Sequence, residues 1–365
     1  MRKILKVLSF LFLFLFFTLF LLRSSRTVDD QRRPLLELFQ LLSGLKNPST
    51  PSDGKPFEPA TTSPNPFGVM PGGKNIDAAL KLGVSYYRPI SVFLDRVGDS
   101  CPECDAASNQ GLKLVLTIRN NGRSQVPTTP PSDLTVFKNK LSQVIDRYNP
   151  ELVVVENEEN SEALFYAGSP EAYHTELKAA CEVAHQKGIK CTNGGLVSAL
   201  VALLVAQDYQ DQGQEAKAQE FLERTLGQRL EQQGLGDPST MLSNPKAQSQ
   251  IVKGRKLLAG YKAAGADFIN FHWYIPDTDA LSETVAYLEK ATGLSAMTNE
   301  IGQQKNESPE QVTAVLEKVA DLSLPYAIWF SIDIPAFGGA RGLVDSNGNL
   351  RPNGEAFRNF MEANY

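Results

Sequence analysis

From residue 67 to the C-terminus, short apolar runs alternate with longer stretches in which apolar positions recur every three or four residues. The short runs predict strands at 67–70, 84–89, 113–118, 152–155, 190–193, 268–274, 296–299 and 327–332. The longer ones predict helices, among them 134–148, 170–187, 245–264 and 309–322. Four helix-to-strand junctions carry a glycine: Gly83, Gly111, Gly188 and Gly265. A glycine there closes the helix in the left-handed conformation and turns the chain into the next strand. Eight strands with intervening helices over roughly 300 residues predict an α/β fold of the (β/α)8 barrel type, which needs about 250. A doubly wound sheet is the alternative, but it commonly uses fewer strands and gives no equivalent roles at all eight strand ends.

Two regions depart from this repeat. Residues 194–244 carry two additional helical patterns, 198–212 and 215–233, between the fifth strand and its own helix. They form a helical insertion in the fifth βα loop, on the face where barrel active sites lie. The first is apolar on more than one face, which predicts burial against the barrel rim as a lid or cleft wall. Ahead of the barrel, Met1-Arg2-Lys3 is followed by an almost wholly apolar run, 4–22. That run is long enough to span a bilayer as a helix and longer than most signal-peptide cores. An uncleaved membrane anchor and a cleaved signal both fit. The charges on its two sides do not set its orientation. Residues 23–65 are rich in Pro, Ser and Thr towards their end and predict a tether. The expected organisation is therefore 1–22 leader or anchor, 23–65 linker and 66–365 barrel, in an exported protein at the cell surface or in the periplasm.

Composition narrows the chemistry. The 365 residues hold 36 Lys+Arg against 41 Asp+Glu, and a net charge of −5 without a basic stripe argues against a nucleic-acid partner. Four cysteines are too few for a disulfide scaffold, and no two of the three histidines have zinc-ligand spacing. Neither a metal nor a cofactor is expected, and a monomer is. Gly68 to Asn75 nearly matches a phosphate-binding loop, but Asn75 replaces the magnesium-binding hydroxyl and Pro71 removes an N–H from the cradle. Cys101-Pro-Glu-Cys104 predicts a local disulfide in a loop after the second strand. Cys181 and Cys191 flank a turn and are expected as buried thiols, with pairing left open. No Gly-x-Ser-x-Gly elbow is present.

Two strand ends stand out. The fourth runs into Glu156-Asn157-Glu158-Glu159-Asn160 and the seventh into Asn299-Glu300-Ile301-Gly302. A glutamate on each side of a barrel mouth is the equipment of glycoside hydrolysis, in which one carboxyl protonates the leaving oxygen and the other attacks or activates water. Around them the sequence resembles the clan-A glycoside hydrolases, the retaining (β/α)8 enzymes that include many cellulases, mannanases, xylanases and xylosidases. The resemblance covers 67–365. It implies that Glu158, after Asn157, is the acid/base and Glu300 the nucleophile. It implies further that Tyr274 of His272-Trp273-Tyr274 bonds the nucleophile, that Arg88 lies beside it, and that Trp329 on the eighth strand floors the sugar site. The closing segment, Gly342 to Phe357, resembles the usual end of such barrels.

The physics of the residues agrees with those roles. Arg88 near Glu300 would keep it ionised, and Asn157 could donate to a sugar 2-hydroxyl. Glu158 is expected in drier surroundings, with its pKa raised by burial and by the nucleophile's charge. Two features depart from the family's pattern. Glu156 is expected on the same side of the fourth strand as Glu158, so Glu156, Glu158 and Glu159 compete for the acid role. Asn299 stands where the family often has threonine. The reading is a retaining hydrolase of β-linked oligo- or polysaccharides. The rival is a non-catalytic carbohydrate-binding or scaffold barrel with an altered site.

Overall fold

The structure, a computed structural model, describes residues 64–71, 76–96, 101–122, 126–227, 237–302, 308–333 and 342–365. The apolar run lies outside these residues, as does the linker apart from its last two residues, 64 and 65. Among the described residues no helix is long and apolar enough to cross a membrane.

Eight parallel strands close into a barrel in chain order: β1 (Phe67–Met70), β2 (Tyr86–Tyr87), β3 (Lys113–Arg119), β4 (Leu152–Val155), β5 (Lys190–Asn193), β6 (Phe268–Trp273), β7 (Ser295–Ile301) and β8 (Ala327–Phe330). β2 pairs with both β1 and β3, and Phe67 of β1 registers with Ala327 of β8, so no edge is left open. A short strand, Val92–Phe93, adds to the upper end of β3. Ten helices surround the barrel among the described residues: α1 (Ile76–Lys81), α2 (Pro102–Asn109), α3 (Leu134–Tyr148), α4 (Pro170–Gln186), α5 (Ser198–Asp211), α6 (Glu215–Leu222), α7 (Pro245–Tyr261), α8 (Thr278–Thr292), α9 (Pro309–Asp321) and α10 (Pro352–Asn364).

Local sequence explains the boundaries. Asp133, Ser169, Asn244 and Asp277 cap α3, α4, α7 and α8 by accepting the first free N–H groups, and proline opens α4, α7, α9 and α10. Gly83, Gly111, Gly188 and Gly265 all sit at positive φ ahead of a strand, as their positions predict. The barrel interior is filled by Tyr86, Val115, Leu152, Val154, Met297, Tyr326 and Ile328. Gly68 belongs to this packing. A Cβ there would lie 2.6 Å from both Ile328 and Tyr86, so its small size serves the barrel interior.

Both cysteine pairs are disulfides, Cys101–Cys104 and Cys181–Cys191. The second corrects the expectation of buried thiols: the turn from α4 into β5 brings the two Cα atoms to 5.3 Å, within bridging range. The first pair opens α2, with Cys101 as its N-cap, where the sequence suggested a loop.

The insertion is present. α5 is buried along most of its length, lies on α7 and α8, and is covered by α6. The second predicted helix is α-helical to Leu222 and continues as a π-helical turn, Glu223–Gly227; the rest of its pattern, 228–233, lies outside the described residues. At its start the insertion is stapled to the site: Ser198 donates to the carbonyl of His272 (3.0 Å) and accepts from the N–H of Tyr274 (3.2 Å).

Candidate active site

Six of the seven residues expected at the site meet at the C-terminal mouth of the barrel. Arg88, just past β2, is buried and is the hub. Its guanidinium donates to Glu300 Oε1 (2.5 Å), Asn157 Oδ1 (2.9 Å), Thr117 Oγ1 (3.0 Å), Met70 Sδ (3.1 Å) and the carbonyl of Asn299 (3.3 Å). Tyr274 donates to the other oxygen of Glu300. His272 lies between the carboxylates, with Nδ1 3.0 Å from Glu158 Oε1 and 3.5 Å from Glu300 Oε2.

A register shift creates this convergence. Along β6 and β7, Asn270 faces Met297, yet His272 faces Glu300, so β7 carries one extra residue between the two pairs. Against β8 the same stretch slips again between Thr298 and Ile301. A bulge of this kind re-aims side chains at a barrel rim. Strict alternation would send the consecutive Asn299 and Glu300 to opposite faces. Here both reach His272.

Burial alone would push the Glu300 carboxyl up. The positive His272 and Arg88, with hydrogen bonds from Tyr274 and Arg88, outweigh it and hold the carboxyl below its ordinary value. The same charges act in reverse on His272. Burial opposes its protonation, but Glu300 and the bonded Glu158 win and raise its pKa. The expectation of drier surroundings for Glu158 is corrected. Its side chain is 16% exposed against 9% for Glu300, because Glu158 faces the mouth.

Three neighbouring glutamates compete for one role in the sequence, and the backbone separates them. β4 ends at Val155, and Glu156 (φ 65°) and Glu158 (φ 45°) both adopt the left-handed conformation. Alternation therefore stops before Glu156, which does not share a side with Glu158 as expected. Glu156 is fully buried and accepts from the N–H of Asn120 (2.7 Å) and from Thr128 (2.5 Å), with Arg119 at 3.4 Å. Burial, together with the charge of Glu156, pushes the carboxyl of Glu176 well above the usual range. Glu159 is fully buried on another side, held by Tyr261 (2.5 Å) and Asn193 (2.8 Å), and burial raises its pKa. Only Glu158 of the three faces Glu300.

Trp329 is the exception among the expected residues. Its ring packs edge-on against Phe357 of α10, centroids 5.7 Å apart, in the layer between strands and helices. The reason is parity. Ile328 belongs to the barrel interior, so Trp329 points outward and its neighbour Phe330 points inward. The ring of Phe330 meets Tyr274 at 6.0 Å and stands where a sugar floor was expected.

One oxygen of Glu158, one of Glu300 and a ring nitrogen of His272 lie within 4.8 Å of one another, the only such cluster of His, Cys, Asp and Glu among the described residues. Arg88 already supplies the positive charge at Glu300, and both ring nitrogens of His272 face protein oxygens. The donor set has the chemistry of a paired-carboxylate centre more than of a metal cage.

Fold and geometry together define a (β/α)8 barrel with two facing glutamates at the ends of β4 and β7. The sequence matches no family model and no curated protein. Solved glycosidase structures share the fold. A glucosidase from Croceicoccus marinus superposes with a TM-score of 0.52 at 11% identity, over 82% of this chain and 65% of its own. An exo-β-1,4-mannosidase from Opitutaceae bacterium strain TAV5 gives 0.51 at 14%, over 82% and 59%. A GH5 subfamily 18 protein from Bifidobacterium longum, solved with Manβ1-4GlcNAc, gives 0.52 at 13%, over 82% and 78%. The chain thus spans slightly less than two thirds of the first two.

Proposed function

We propose that this protein is a retaining glycoside hydrolase acting on β-linked oligo- or polysaccharides, with Glu300 as nucleophile and Glu158 as acid/base. The carrying observation is that oxygens of Glu158 and Glu300 approach within 4.8 Å across the mouth. An approach on this scale supports a retaining pair, whose carboxyl groups stand about 5–5.5 Å apart; an inverting pair is spaced roughly 6.5–9.5 Å apart to leave room for a water. The glycosidase neighbours share the fold, and their substrates suggest the class of sugar polymer.

In the first step Glu300 attacks the anomeric carbon while Glu158 gives its proton to the leaving oxygen. In the second, Glu158 takes a proton from water as the water attacks the same carbon and frees Glu300. Arg88 and Tyr274 keep Glu300 ionised and aimed. Asn157, its Oδ1 held by Arg88, has Nδ2 left to donate to the 2-hydroxyl, a bond that strengthens as the oxocarbenium character grows. These intact contacts favour catalysis over a purely binding role. The apolar run at 4–22 and the two disulfides support an exported, membrane-associated protein. Cell fractionation tests that, and recovery in the cytosol would refute it.

Azide separates the two glutamates. Glu158→Ala should hydrolyse an activated aryl β-glycoside to the covalent intermediate and yield a glycosyl azide of retained configuration. Glu300→Ala with azide should yield the inverted product. Retained azide from Glu156→Ala or Glu159→Ala, and none from Glu158→Ala, would overturn the assignment.

A further inference from the structure

Asn299, the residue that departs from the family's pattern, occupies the end of an asparagine ladder across three strands. Asn193 of β5 donates from Nδ2 to the carbonyl of Asn270 (2.9 Å) and accepts at Oδ1 from its N–H (2.7 Å). Asn270 of β6 donates from Nδ2 to the carbonyl of Asn193 (2.9 Å) and accepts at Oδ1 from the N–H of Asn299 (2.9 Å). Backbone groups, whose polarity is fixed, therefore fix which end of each amide faces which way. The Nδ2 of Asn270 then donates to Asn299 (2.8 Å), so the facing atom of Asn299 must be its oxygen. The Nδ2 of Asn299 is buried with no hydrogen-bond partner, so its oxygen alone makes the side chain's contacts.

That oxygen lies 3.0 Å from Nε2 of His272, so Nε2 must carry a hydrogen. Gly195 seals this contact. A Cβ there would lie 2.4 Å from Nε2, which leaves no space for water to offer His272 another partner. The proton choice falls on Nδ1, 3.0 Å from Glu158. The pair holds a proton either as neutral imidazole beside a carboxylic acid or as imidazolium beside a carboxylate. The other charges on His272 are Glu300, Arg88 and, through the strand, Glu159; the Tyr274 ring lies beside it.

We propose that Asn299 is a positioning residue acting through His272: it holds the Nε2 hydrogen in place, so that Nδ1 and Glu158 together keep the proton the acid delivers. This rests on the reading of Glu158 as acid/base. In the first step the pair loses one proton to the leaving oxygen, and in the second it regains one from water, so its proton count is restored each turnover. Without the Asn299 oxygen, the ring can turn to the tautomer protonated at Nδ1. That form donates to the Glu158 carboxylate and stabilises the arrangement in which the pair has already given up its shared proton.

The chain has three histidines, which makes a nitrogen-15 histidine NMR titration tractable; His174→Gln and His185→Gln assign the signals. In the wild-type protein Nε2 should stay protonated at every pH, while Nδ1 titrates with the alkaline limb of kcat/KM. Asn299→Ala should move that limb down by about one pH unit and cut turnover of unactivated glycosides about tenfold above it, sparing activated aryl glycosides. Asn299→Asp, which keeps an acceptor, should keep the Nε2 hydrogen. A wild-type His272 that loses its Nε2 proton refutes the proposal, even if Asn299→Ala does not fold. The expected spectrum in a protein that cleaves no glycoside would sink the enzyme reading and leave the tautomer standing.

Discussion

Gly195→Ala isolates the close approach on which the site depends. Gly195 sits at φ 98°, and a methyl group there would lie 2.4 Å and 2.5 Å from two atoms of the His272 ring and 3.1 Å from Asn299 Oδ1. Ordinary contact begins near 3.5 Å, so ring or loop must move by roughly 1 Å. Two costs add. An L side chain at positive φ costs about 1–2 kcal/mol, and overpacking a filled site costs about 1–3 kcal/mol more. Gly188→Ala provides the control. It shares the backbone cost, with φ 73°, but a methyl group there would meet nothing within 4 Å.

The expected result is a split between the two variants. Gly188→Ala should lose about 1–2 kcal/mol in denaturant unfolding and keep its kcat/KM. Gly195→Ala should lose about 2–5 kcal/mol and, because His272 is pushed off Glu158, about 100-fold in kcat/KM. The assay is paired: equilibrium or melting stability, and hydrolysis of an activated and an unactivated aryl β-glycoside. Equal stability loss in the two variants with full activity in both would refute the idea that this loop is pressed against a working histidine.

Tyr274→Phe removes one of the bonds that hold the Glu300 pKa down, so the acid limb of kcat/KM should rise by roughly one pH unit. The sign follows from linkage. Glu300's folded pKa is depressed, so its stabilisation is present above the unfolded value and lost as pH falls through the folded one; the variant should be less acid-resistant, and an unmoved limb would count against Glu300 as the ionised group. Glu176→Gln should stabilise the fold, because the Glu176 pKa is raised by burial and by Glu156. A raised carboxyl contributes stability that is full below the unfolded pKa and lost as pH rises towards the folded one. The variant's advantage should therefore grow from near zero at about pH 4 by up to about 1.4 kcal/mol per pH unit until the folded value is reached. Equal advantages at pH 5 and pH 7.5 by denaturant titration would refute it.

The barrel was legible because its signals are local. Four glycines mark where helices hand over to strands, and apolar runs of four residues, such as 152–155, match their strands end to end. What failed needed distance or backbone direction. Nothing within the sequence between Cys181 and Cys191 says that α4 and β5 pack closely enough to bring their Cα atoms to 5.3 Å. Trp329 was assigned by its surroundings in the chain, whereas counting from the apolar Ile328 would have placed it outside and Phe330 inside.

At the site, the legible residues were those whose type is costly at a barrel rim: Arg88, Glu158, His272, Tyr274 and Glu300 need partners, and each is the other's partner. Glu156 and Glu159 satisfy the same rule away from the mouth, so a buried charge in the sequence marks a network without saying which member faces substrate. The left-handed turns at Glu156 and Glu158 make that decision, and glutamate carries no sequence signature for positive φ. The asparagine ladder lay one step further from view. Each of β5, β6 and β7 holds an asparagine at or near its end, a repeated polar residue among apolar neighbours that the sequence did offer. Its meaning depends on the extra residue in β7, which lets Asn299 join the ladder while Glu300 still faces the cleft. The departure at position 299 weakened the resemblance in the sequence; in the folded chain, that residue ties the histidine to its strand.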